Sequence, residues 1–81
     1  MADAVREFVA NLTPGERTQI IRDYEKLEKY GQIGDCELRN QATILMHSLG
    51  ANTIIMWMEF LVKEVYRYYA YKFLEQEDIK N

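Results

Sequence analysis

The chain has 81 residues, 48% of them apolar and 28% charged, with a formal net charge of −3. That is one domain of ordinary soluble globular composition and of marginal core size, and the mild acidity argues against a dedicated nucleic-acid binder. Cys36 is the only cysteine and His47 the only histidine, which excludes an internal disulfide and the usual structural zinc set and leaves oligomerisation as the staple on which so small a core would rely.

The N-terminal stretch MADAVREFVANL carries acid and base early and has no apolar run of the signal-peptide kind. With the lone thiol, it sets the expectation of an intracellular protein, cytoplasmic or nuclear. Within it Val5, Phe8, Val9 and Leu12 recur at helical spacing, so residues 2–11 are expected to form a first helix. So short a helix does not persist alone. It must dock on the rest of the chain, or serve as an arm reaching a second subunit.

Thr13-Pro14-Gly15-Glu16 follows. A threonine able to cap, a proline in the first turn and a glutamate three residues after the threonine make a capping box. The second helix is expected from Pro14 to about Tyr30, with Ile20, Ile21, Tyr24 and Leu27 inward. Arg22, Asp23, Glu25, Lys26, Glu28 and Lys29 are expected to face water. Gly31 suits the position just past the helix end. Asp35 is the expected N-cap of a third helix, Cys36 to Leu49, whose apolar face is Leu38, Ala42, Leu45, Met46 and Leu49; Gly50 ends it.

The closing stretch from Thr53 to Leu74, TIIMWMEFLVKEVYRYYAYKFL, holds the only tryptophan and most of the aromatic mass, without glycine or proline. At about 100° per residue, Ile54, Trp57, Met58, Leu61, Val62, Val65, Tyr68 and Tyr69 share one broad face. Glu59, Lys63 and Arg67 form a stripe opposite, yet Met56, Phe60, Tyr71 and Leu74 lie on or beside that stripe. A helix apolar on nearly all sides is buried on nearly all sides. A membrane span is excluded, because Glu59, Lys63, Glu64, Arg67 and Lys72 would each cost roughly 2.5–3.5 kcal/mol inside a bilayer. Residues 75–81, EQEDIKN, place acid at a helix C-terminus against the dipole, so a frayed tail is expected there.

The expected fold is therefore all-α: a small four-helix bundle over residues 1–74, three shorter helices packed on a long C-terminal one, dimeric. Candidate chemistry is sparse. His47 and Cys36 stand eleven positions apart; a cysteine at a helix N-terminus can be a redox-sensitive thiolate, but a buried filler is the commoner role. No phosphate loop, nucleophile elbow or metal motif occurs, so no enzyme activity, cofactor or metal is expected.

Protein association has the better physical motive. Met56, Phe60, Tyr71 and Leu74 form the expected contact, with Trp57 and Arg67 at its border. Aromatics, methionine and arginine are the types enriched at interface centres. A two-fold dimer pairing the last helices antiparallel would use one patch twice, and a hetero-partner would fit the same surface. The expected function is an adaptor or regulator working as a homodimer and on another protein. The alternative is an RNA- or DNA-binding helical module, with Arg22, Lys26, Lys29, Lys63, Arg67 and Lys72 contacting the backbone and the interleaved tyrosines stacking on bases.

Overall fold

A computed structural model of the protein consists of four packed helices: α1 (Ala2–Asn11), α2 (Pro14–Tyr30), α3 (Glu37–Ser48) and α4 (Ile54–Lys80). The structure describes the backbone of residues 2–80 and the side chains of residues 3–74; the expected fraying from Glu75 onward lies outside the described residues. No strand occurs among the described residues. Helices α1, α2 and α3 each pack on α4, and α2 also packs on α3. The first helix is thus docked on its own chain rather than extended as an arm: Val5 and Val9 are buried, and Phe8 and Leu12 pack against the same core.

That core draws Ile20 from α2, then Leu38, Ala42, Leu45 and Met46 from α3. Trp57, Met58, Leu61, Val62 and Val65 come from α4. Each side chain of this size contributes about 1.5–3 kcal/mol when fully buried. The 3.6-residue period read from the sequence is what aligns them, since positions three and four apart share a face.

Local chemistry sets most of the helix ends. The capping box forms in full: the Glu16 amide donates to Thr13 Oγ1 at 3.1 Å, and the Thr13 amide donates to Glu16 Oε1 at 2.8 Å. Two of the orphan donors at the start of α2 are satisfied this way. At its other end Gly31 adopts φ 78°, and its amide donates to the Leu27 carbonyl at 2.8 Å. The end of α3 is a Schellman turn. Gly50 sits at φ 70°, its amide donates to the His47 carbonyl at 3.2 Å, and that of Ala51 donates to the Met46 carbonyl at 3.0 Å.

Two sequence expectations change here. The N-cap of α3 is Cys36, not Asp35, and Cys36 makes no side-chain cap bond. The cap comes from another helix: Asp23 Oδ2 accepts the Leu38 amide at 3.0 Å, while Asp23 Oδ1 accepts from Gln19 Nε2 at 2.9 Å. Asp23, expected to face water, is consequently buried. Its charge meets the positive end of α3, which is what makes the burial tolerable.

Arg17 is the second buried charge of α2. Its Nη1 donates to the carbonyls of Val9 at 3.0 Å and Leu12 at 2.6 Å, covering the open C-terminal end of α1. Its guanidinium lies 4.2 Å from the Tyr68 ring centre. One side chain therefore joins α1, α2 and α4.

Candidate interaction surface on helix α4

Helix α4 divides along its length and around its circumference. From Ile54 to Tyr68 the inner face is occupied: Trp57, Met58, Leu61, Val62 and Val65 are buried, and Ile54 and Tyr68 are half-buried. After Tyr68 every described position, Tyr69 to Leu74, is exposed. Successive residues step about 100° around the axis, so this last stretch is exposed in part on every side, and Tyr69, Tyr71, Phe73 and Leu74 keep 38%, 49%, 61% and 56% of their surface.

The outward face is apolar at both ends. Met56, Phe60, Tyr71 and Leu74 retain 46%, 37%, 49% and 56% of their surface. The chain's own helices leave these four partly uncovered. Trp57, placed at the border of this patch from sequence, is only 5% exposed and belongs to the core. Its ring points inward and meets the patch only through an edge-on contact with Phe60, 5.6 Å between centres. Arg67 does stand exposed at the patch edge.

Three further side chains join this face, of which the sequence reading singles out only Tyr66, as one of the base-stacking tyrosines. Ile55, Tyr66 and Phe73 are 65%, 49% and 61% exposed, and by helical geometry they line the opposite flank of the same outward face. Between the flanks run Glu59 and Lys63, an i,i+4 pair in the favourable order. Periodicity gives these positions; only the packing of α1–α3 reveals that the described residues leave them about half exposed or more.

A small polar cluster fixes the edge next to α1. Glu64 is buried and accepts from Arg6 Nε and Arg67 Nη1, both at 3.4 Å. The two arginines are more than half exposed, so each contact on its own adds little to stability. The Arg6 guanidinium also sits 5.7 Å from the Tyr71 ring centre, which orients Tyr71 at the patch edge.

The basic residues of the nucleic-acid alternative fall into two sets. Arg22, Lys26 and Lys29 lie on the exposed side of α2, and Lys63, Arg67 and Lys72 on exposed positions of α4. An open depression of about 360 Å³ lies among Arg22, Glu25, Lys26, Lys29 and Tyr30. It is walled by one helix only, and Glu25 offsets its charge. The two sets sit on exposed positions of two different helices, α2 and α4.

His47 is exposed in the last turn of α3, at the opposite end of that helix from Cys36, its N-cap. Burial lifts the Cys36 thiol above its ordinary value, and the negative charge and hydrogen bond of Asp23 act the same way. The backbone amides of Arg39 and Leu38 pull it down, but less. The helix N-terminus thus does not yield an activated thiolate here, because burial, with Asp23 adding to it, outweighs the pull of the backbone amides. Among the described residues no group of histidine, cysteine or carboxylate side chains could hold a metal ion, and no helix is long and apolar enough to cross a membrane. No family model, curated protein or solved structure matches the chain.

Proposed function

We propose that this chain is a small protein–protein interaction module, an adaptor or regulator without catalysis of its own, that acts as a homodimer through the outward face of its long C-terminal helix. The observation that carries this reading is the partial exposure of Met56, Phe60, Tyr71 and Leu74 on a helix whose opposite face already holds the core. Completing the burial of each would contribute about 1 kcal/mol, taking the half that remains of roughly 1.5–3 kcal/mol. Two copies sharing the patch double that gain, which then competes with an association cost of about 4–15 kcal/mol. Gain and cost are therefore of the same size, so the reading implies a weak pair that dissociates on dilution.

The test is a Phe60→Asp, Tyr71→Asp double variant compared with the native chain by light scattering. Both positions are exposed, so helical circular dichroism is retained. The variant falls to the mass of a single chain while the native protein stays at twice that mass. A variant that keeps twice the single-chain mass would move the contact to another surface, and a native chain of single mass would remove the homodimer. A gel shift that weakens steeply with salt and is lost on Lys63→Glu would favour nucleic acid instead.

A further inference from the structure

The order of side chains along α4 carries more than the presence of a patch. Read from either end, the outward face begins apolar and carries charge toward its middle. Ile55, Met56 and Phe60 stand at one end, and Tyr71, Phe73 and Leu74 at the other, all exposed. Glu59 stands just before Phe60, and Lys63, Tyr66 and Arg67 lie between the two ends, also exposed. Pairing the ends, Met56 with Leu74 centres on Val65, Ile55 with Phe73 on Glu64, and Phe60 with Tyr71 on the Val65–Tyr66 step. The three pairs thus centre within about a turn of one another, close to Val65.

Such mirror symmetry matters because a two-fold axis perpendicular to a helix reverses its direction and presents the same patch to itself. The axis also sets each flank against the same flank of the other copy. Ile55 and Phe73 lie on one flank, and Met56, Phe60, Tyr71 and Leu74 on the other, so each flank is complementary to itself. The charged middle is neutral in sum: Glu59 stands one turn before Lys63, and Arg67 is bonded to Glu64.

Resting on the homodimer reading above, we propose that two copies pair their α4 helices antiparallel with the axis at Val65, so that the uncovered end of each, Tyr69 to Leu74, lies along Ile55 to Phe60 of the other. The area fits. Seven outward side chains, these six and Tyr66, are on average about half exposed, so at roughly 200 Å² each they offer about 700 Å² per copy. A standard stable interface uses about 800 Å² per partner. The pairing also accounts for the exposed Tyr71, Phe73 and Leu74 toward the end of α4, which α1–α3 leave about half uncovered. That end is held by the partner's Met56 and Phe60 instead.

Single-cysteine chains test the register. In a Cys36→Ser background, Met56→Cys and Leu74→Cys are made separately, mixed at high micromolar concentration and treated with a short bismaleimide. In the proposed pairing Met56 faces the partner's Leu74, whereas equivalent positions lie about 27 Å apart, so the mixed product exceeds either self-coupled product by about tenfold. A dominant self-coupled Met56→Cys product would set the helices parallel and overturn the register while leaving the homodimer standing. A dimeric mass with no coupling would also overturn the register alone. A native chain of single mass would overturn both readings.

Discussion

Replacing Arg17 by alanine tests how the bundle is tied together. The side chain donates to the Val9 and Leu12 carbonyls at 3.0 and 2.6 Å and stacks on Tyr68 at 4.2 Å. A hydrogen bond to a charged group contributes about 1.5–3 kcal/mol. The stacking adds about 2 kcal/mol in a desolvated site. Against these stand the burial of the charge and an Nε that has no hydrogen-bond partner, a cost of about 1–3 kcal/mol. The net loss expected for Arg17→Ala is about 3 kcal/mol, a large share of the roughly 4–12 kcal/mol typical of a domain this size. Urea unfolding followed by far-ultraviolet circular dichroism, at one fixed protein concentration, should place the midpoint about 2 M lower. Arg17→Lys keeps the charge but not the planar fork, and should lose about half as much. A double-mutant cycle with Tyr68→Leu should return a coupling of about 1–2 kcal/mol. An Arg17→Ala midpoint within about 0.3 M of the native one, or no coupling to Tyr68, would refute the idea that this contact joins α1, α2 and α4.

Other expectations follow from the same geometry. Thr13→Ala removes half of the capping box and should cost about 1 kcal/mol in the same unfolding assay; no change would mean α2 does not depend on its cap. Asp23→Ala leaves the Leu38 amide buried without its acceptor and should cost about 1–3 kcal/mol, with Asp23→Asn costing less because an oxygen remains. For Cys36, the rate of alkylation against pH should reach its midpoint above that of a free thiol, and Asp23→Asn should bring it down by removing the charge; an unchanged midpoint would contradict the cause given. Because the folded thiol ionises at a higher pH than its ordinary value of 9.0, its contribution to stability is fully present below pH 9.0. It is lost as pH rises through the folded value, where the unfolded chain releases the proton first.

What sequence conveyed, and what it withheld, divides by range. The ends of α2 were legible because Thr13, Glu16 and Gly31 act within a turn of themselves. The core face of α4 was legible because Trp57, Leu61 and Val65 repeat at helical period. The cap of α3 was not, since its acceptor lies fifteen residues back on another helix. Charge alone marked Asp23 as water-facing. Its burial rests on the Leu38 amide and Gln19, partners that no local window contains. The same holds for Glu64, whose partner Arg6 is at the far end of the chain. Trp57 was misplaced at the patch edge because periodicity fixes an angle but not which neighbours fill it. Ile55 and Phe73 went unremarked for the complementary reason: the sequence does not state where α1–α3 stop covering α4.

The central claim is that α4 has more apolar surface than its own chain covers, and that a second copy covers it. Sedimentation equilibrium of the native protein, from low to high micromolar concentration, tests this most directly. The expected result is a mass rising from one chain of 9.6 kDa to twice that value and no further, as a closed two-fold pair requires. A single-chain mass throughout the range would contradict it.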